Sequence, residues 1–180
     1  MRKIKLFSVL IFGLFLCISC EKEAPDKIVF FSKDQLTKDL NIQINNTEGN
    51  VVPVNSNTII NLKSSSVFLS NIDYLIDVEV EKLHFKIKNF KINPLAKISN
   101  VEVYVDEIKI TANDISFDYL SLLANGLEFK ITNKEILSAI SSKLLQKKQV
   151  VVSYYSDAVT DKFFNFDLEF SIVTKGTFVD

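Results

Sequence analysis

Residues 77–93 read DVEVEKLHFKIKNFKIN, and this stretch decides the fold class. Val78 and Val80 stand two apart and share one face of an extended chain. Leu83, Phe85 and Ile87 also alternate, but in the opposite phase, and Phe90 and Ile92 shift phase again. A one-residue slip sends every following side chain to the other side of a sheet. A long strand with two slips therefore needs bulges, or it must pass from one sheet to another.

The flanks extend the pattern. Val101, Val103 and Val105 alternate, and so do Ile108 and Ile110, around Asp106-Glu107. That spacing predicts a hairpin, although its turn lacks the Gly that tight primed turns favour. ISFDY (115–119) and LEFKI (127–131) add two more alternating runs. The period then changes. In TNKEILSAISSKLLQKK, Ile136, Ile140 and Leu144 recur every four residues with Leu137 alongside, which predicts a helix over about 133–147. Thr132 and Glu135 have the spacing of a capping box, and Lys147 and Lys148 suit the C-terminal end of the dipole.

VVVSYY (150–155) predicts a strand and SDAVTD (156–161) a loop. In the last strand Phe164, Phe166, Leu168, Phe170 and Ile172 line one face, with Asp167 and Glu169 on the other. Upstream, KIVFFS (27–32) opens the folded part. Residues 41–57, rich in Asn and holding Gly49 and Pro53, predict short strands and loops. TIINLK (58–63) predicts a strand, and Ser70 a cap for a helical turn over NIDYLI (71–76). Frequent Phe, Ile and Val, few Gly and Pro and no Trp agree with a mainly β chain carrying one packed helix.

The start of the chain has a different character. Arg2, Lys3 and Lys5 precede the apolar run Leu6–Leu16, which is long enough for an export signal and short of the roughly 20 residues that span a bilayer. Ser19 then stands before Cys20, and Glu21, Lys22 and Glu23 follow. This resembles the lipobox of bacterial lipoproteins, in which cleavage leaves a lipidated cysteine as the first residue. The position usually held by Leu is Cys17 here, and Cys17 itself follows the bulky Leu16. The resemblance implies a signal peptide at 1–19, a lipidated tether at 20–27 and a folded domain at 28–180. It implies a lipid-anchored protein of the bacterial cell envelope, on the outer membrane, held through acyl chains on Cys20. Each buried methylene contributes about 0.8 kcal/mol, and two or more chains make such anchoring stable. Glu21–Glu23 resemble the surface-export signal of Bacteroidetes-type lipoproteins; a solvated linker is the other reading.

The order of the later elements, from NIDYLIDVEVEKLHFKIKNF through the hairpin and ITNKEILSAISSKLLQKKQVVVSYYSDA to the final strand, resembles uncharacterised Bacteroidetes-type lipoproteins over about residues 57–180. The resemblance implies an immunoglobulin-like antiparallel β-sandwich with one packed helix. The late helix followed by VVVSYY also faintly resembles the sandwich domain of late-embryogenesis-abundant proteins. Neither group brings catalytic residues with it.

Residues 20–180 hold 18 Lys, no Arg and 22 acidic residues, a balance of −4. This argues against nucleic acid as a partner, because phosphate binding wants a basic patch and base readout favours Arg. His84 is the only histidine, and it sits in phase with Lys86 and Lys88 on the polar face of its strand. A lone His and a lipidated Cys do not form a zinc site. Calcium takes oxygen ligands; Asp73, Asp77, Glu79 and Glu81 form one acidic group, and Asp157 and Asp161 another, neither with EF-hand spacing. Asp167 and Glu169 lie roughly 6.5–7 Å apart on a strand, near the separation for inverting glycoside hydrolysis, but any alternating strand gives this. Tyr154 and Tyr155 point to opposite faces, so one at most joins a sugar-stacking patch. Gly13, Gly49, Gly126 and Gly176 are isolated and make no phosphate loop. No catalytic residue, metal or cofactor is expected. The sequence favours a non-enzymatic envelope module that binds a protein or glycan or has a structural role. The alternative is a carboxylate-dependent hydrolase of envelope or extracellular glycans.

Overall fold

The slip between Val80 and Leu83 is resolved by a bulge. Strand β3 (Leu75–Lys88) runs antiparallel to β9 (Phe164–Val179), and the register shifts between Val80 and Lys82, leaving Glu81 as the extra residue. Val78, Val80, Leu83, Phe85 and Ile87 all stay buried as a result. A second shift, between Leu75 and Asp77, inserts Ile76. The computed structural model describes residues 27–89, 93, 95–111, 115–118 and 128–180. The expected signal segment 1–19, Cys17, Cys20, Glu21–Glu23 and the further slip at Phe90 and Ile92 lie outside the described residues.

The other strands are β1 (Val29–Ile44), β2 (Val52–Asn61), β4 (Lys97–Val105), β5 (Ile108–Lys109), β6 (Ile115–Asp118), β7 (Glu128–Ile131) and β8 (Gln149–Val159). They form two antiparallel sheets, ordered β1-β9-β3-β7 and β2-β8-β4-β5, with β6 also on β4. The pairing is nested. The first strand pairs with the last, β2 with β8, β3 with β7, and β4 with β5 and β6, and successive pairs alternate between the sheets. A long antiparallel hairpin rolled over itself gives this order, that of a jelly-roll sandwich. The expected β-sandwich is therefore present, but its strand order is not immunoglobulin-like. An immunoglobulin sandwich keeps its first two strands in one sheet; here β1 and β2 fall in different sheets.

The core lies between the sheets. Phe164, Phe166, Leu168, Phe170 and Ile172 of β9 are all buried, as their alternation predicts, and Tyr154 of β8 meets Phe166 edge-on at 6.0 Å. The hairpin at 101–110 also forms, pairing Tyr104 with Lys109 and Val105 with Ile108. Asp106 takes the first turn position at φ 51°, a conformation its short polar side chain tolerates.

Several local expectations are corrected. Residues 41–57 are mostly strand: β1 runs for 16 residues and β2 for 10, joined by a turn with Glu48 at φ 51° and Gly49 at φ 81°. The Asn residues do not break these strands because they lie on solvated faces, and Pro53 is tolerated because β2 is an edge strand. Strand β2 ends at Asn61, short of Lys63, which lies in a 3-10 turn, Leu62–Ser64. Residues Ser156–Val159 continue β8, with Ser156–Ala158 paired with Val52–Val54 and Val159 with Lys97, so the loop there is shorter than SDAVTD. The first helix, α1 (Ser66–Asn71), is capped by Ser65, whose hydroxyl accepts from the Phe68 N–H at 3.3 Å. Ser70 lies inside it and donates to the Ser66 carbonyl at 2.9 Å. The rest of NIDYLI is a 3-10 turn, Ile72–Tyr74, and the start of β3.

The second helix, α2 (Lys134–Lys147), lies where the four-residue spacing places it, but Thr132 and Glu135 do not box its start. Asn133 is the cap: its side-chain oxygen accepts from the N–H groups of Glu135 at 2.9 Å and Ile136 at 3.2 Å. Asn133→Ala should cost about 0.5–2 kcal/mol, and Thr132→Ala less than about 0.5 kcal/mol. Urea melts of the two variants check this; equal losses would return the cap to Thr132.

Helix α2 closes one side of the sandwich. Ile140 and Leu144 are buried, and the helix packs on β3 and β8. Strand β7 covers only Leu83–Lys86 of the β3 edge. Beyond it the Val80 N–H donates to the Ser141 hydroxyl at 2.8 Å, so the helix covers an edge that would otherwise invite another strand. Lys143 and Lys147 reach Glu107 and Asp106 in the β4–β5 turn, at 2.9 and 3.0 Å, and tie the helix to the second sheet.

Candidate functional site

The bulge in β3, the short β7 and the start of α2 leave a groove of about 1160 Å³ between strand edge and helix. Its strand wall carries Glu79, Glu81, Lys82 and His84, with Glu128 and Lys130 from β7. Its helix wall carries Ser138, Ser141 and Ser142, with Leu137 and Leu145 beneath.

His84 lies on the outer face of its sheet, between Ser171 of β9 and Lys130 of β7, as its phase predicts. Its Nε2 is 4.0 Å from a Glu128 oxygen, beyond hydrogen-bond distance. Two of the groove serines do not donate to it. Ser141 donates to the Leu137 carbonyl at 2.8 Å and Ser142 to the Ser138 carbonyl at 3.1 Å. A nucleophile needs its proton within reach of a base; these two protons go to helix carbonyls. Glu81 is ion-paired with Lys33, and Glu128 lies 3.6 Å from Lys130.

The acidic groups separate. Among the described residues no three His, Cys, Asp or Glu side chains come together as a metal site. Asp77 and Glu79 face Thr177 and Lys175 across the sheet, and Asp73 lies in the preceding 3-10 turn. Asp157 accepts from Asn100 at 2.7 Å, and Asp161 lies beyond the end of β8. Asp167 and Glu169 share the outer face of β9, but donors occupy them. Asn41 and Asn89 each reach Asp167 at 2.6 Å, and Lys88 pairs with Glu169. The hydrogen bond to Glu169 holds the Lys88 ammonium above its ordinary value.

A second, shallower cavity of about 310 Å³ lies on the outer face of the other sheet, around Tyr155. Tyr155 is half exposed and Tyr154 fully buried, so the two rings do take opposite faces. Tyr104 stands edge-on to Tyr155 at 5.8 Å. Its hydroxyl donates to Glu102 at 3.0 Å, and Lys109 donates to Glu102 at 2.6 Å. The Lys109 and Tyr104 hydrogen bonds hold the Glu102 carboxyl below its usual range, and the bond to Glu102 pushes the Tyr104 phenol up. Glu102, Tyr104 and Lys109 were not singled out from sequence. The signal was there, since they share the polar face of the predicted hairpin.

Asp106 sits at the cavity's edge. Burial pulls its carboxyl upward, but the Val151 N–H at 2.9 Å and the Lys147 ammonium outweigh this, and it titrates below its ordinary value. A carboxyl depressed in the folded state stabilises above its unfolded value, about 3.9, and that stability is lost as pH falls through the folded value. Asp106→Asn should therefore be less stable than the native chain at neutral pH, with the gap shrinking below about pH 4. Unfolding free energies measured from pH 7 to pH 2.5 check this, and a gap independent of pH would contradict it.

No family model matches the chain, and no curated protein matches it. Among solved structures, the decameric BFDV capsid protein is similar with a TM-score of 0.50 and 9% identity, over 82% of this chain and 99% of that one. Desmodium yellow mottle tymovirus is similar at 0.41 and 13% identity, over 87% and 85%. Tobacco necrosis virus is similar at 0.41 and 8% identity, over 84% and 95%. The first shows a shared sandwich fold. Among the described residues no helix is long and apolar enough to cross a membrane.

Proposed function

We propose that this chain is a lipid-anchored lipoprotein of the bacterial envelope whose jelly roll is a non-enzymatic binding module. The groove between β3, β7 and α2 is its ligand seat. The observation that carries the anchoring is Ser19-Cys20 behind an apolar run and a basic start, eight residues before Ile28. Support for binding over catalysis comes from the groove: its histidine lies beyond hydrogen-bond distance of Glu128, and two of its serine protons go to helix carbonyls. The glycan-hydrolase alternative has less support, since amide and ammonium donors occupy Asp167 and Glu169.

Labelled fatty acid should enter the protein in a bacterial host, and Cys20→Ser should abolish the label; label lost only in Cys17→Ser would move the site. For the module, deletion of the protein should be complemented by His84→Ala and not by Ser142→Phe, which fills the groove from an exposed helix position. Both variants are first checked for native melting. The reverse pattern, with His84→Ala inactive and Ser142→Phe active, would replace binding with catalysis.

A further inference from the structure

We propose that one end of the first sheet is a membrane-seating surface, which orients the domain on the bilayer that holds its lipid. The inference rests on the lipid-anchored reading of Cys20. Eleven large apolar side chains of the described residues are exposed, and six of them gather at this end: Ile28, Val29, Phe31, Leu69, Tyr74 and Ile76, each 47–66% exposed. Single exposed apolar residues need no explanation, but a contiguous group marks an interaction surface.

The register places them together. Val29 lies opposite Val179, and Phe31 opposite Thr177, which in turn faces Asp77. Ile76 is the extra residue of the bulge beside Asp77, exposed like its neighbour. Tyr74 immediately precedes β3. Leu69 follows Phe68, whose ring meets Phe178 at 5.8 Å beneath the same end. Here β1 and β3 begin and β9 ends.

Chain length argues for lipid as the occupant. Eight residue steps separate Cys20 from Ile28, and a fully extended chain covers at most about 3.3–3.6 Å per residue. Ile28 therefore cannot stand more than about 29 Å from a lipidated Cys20. An anchor that close turns the second contact into an intramolecular event at high effective concentration. The chemistry also suits an interface. Tyr74 is amphipathic, and the Lys175 ammonium sits 5.0 Å from the centre of the Phe31 ring, which lets it reach headgroups as the ring enters. Lys33 is paired with Glu81, and Lys27 and Lys175 at this end are met by Asp73, Asp77, Glu79 and Asp180, so among the described residues there is no basic excess and seating depends on apolar contact and not on anionic lipid.

The chain contains no Trp, so Phe31→Trp gives a single reporter. Full-length protein bearing this change is purified in its lipidated form and reconstituted into phosphatidylcholine vesicles with brominated acyl chains. Ile76→Trp serves as a second reporter, and Tyr155→Trp, on the other sheet, as the distant control. The Phe31→Trp and Ile76→Trp indoles should shift to the blue and be quenched at least about threefold more than the control, as expected for side chains 5–10 Å into the interface. Added phosphatidylglycerol should change this little. Equal, weak quenching at all three positions with fatty-acid label on Cys20 would overturn the inference and leave the anchor standing. Absence of the label, with protein lost from the vesicles, would overturn both. A blue shift that depends on protein concentration and ignores bromine would assign the surface to a second copy instead.

Discussion

Ile140→Asp should lower the unfolding free energy by at least about 4 kcal/mol, the range reserved for a few kinds of substitution that include an unpaired charge in a core. Ile140 is fully buried where α2 packs on β3 and β8. Two losses combine at this position. Removing the aliphatic chain alone costs about 2–5 kcal/mol, the cost expected of Ile140→Ala. The carboxylate then enters a packed apolar face, and Lys143 and Lys147 of the same helix are already engaged with Glu107 and Asp106. Ala139→Asp, one residue away on the exposed side, carries the same charge and should cost under about 1 kcal/mol, mostly helix propensity. Denaturation midpoints of the three variants should fall in the order Ala139→Asp, Ile140→Ala, Ile140→Asp. Equal midpoints for the two Asp variants would mean that the helix is not docked through this face.

Much of this docking is legible in the sequence, because a four-residue spacing fixes which side of a helix is apolar. The alternation of β9 and the slip in β3 were readable for the same reason: burial of one face makes the pattern strict. Partnership was not readable. Val101–Val105 and Phe164–Ile172 show which way side chains point and nothing about which strand lies beside them, so an immunoglobulin-like order and a jelly roll fit equally well. Strand β1 was hidden differently. Its inward phase includes Ser32, Asp34 and Lys38, which an edge strand can leave partly uncovered, so apolar alternation fades over half its length. The choice of Asn133 over Thr132 as cap depended on backbone angles that two adjacent cap-forming residues do not reveal. The groove was invisible in sequence because it needs α2 side by side with the part of the β3 edge that β7 leaves uncovered. Its one chemically distinctive member, His84, could be placed on the polar face from phase alone.

Gly176→Val should cost about 3 kcal/mol or more, at the upper end of what overpacking a tight core produces. Gly176 continues the inward phase of β9 between Thr174 and Phe178. A Cβ added there would lie 2.7 Å from Cε1 of Phe68 and 2.8 Å from two ring carbons of Phe178, closer than real Cβ atoms come. Neither ring can swing away, since both are fully buried and Phe178 also stacks on Phe30 at 5.1 Å. Gly176→Ala sets two effects against each other. Restricting the unfolded chain favours Ala by about 0.4–1 kcal/mol, while the overlap costs about 1–3 kcal/mol, so the overlap decides the sign. A shared clash also predicts coupling. Trimming the ring in Phe68→Leu removes the nearest atom, so the double variant Gly176→Ala with Phe68→Leu should be more stable than the sum of the single losses by about 0.5–3 kcal/mol. Urea unfolding of the four proteins in this cycle measures that coupling. Simple additivity would show that the space beside Gly176 is not filled by Phe68, and the packing of α1 against the end of β9 would have to be redrawn.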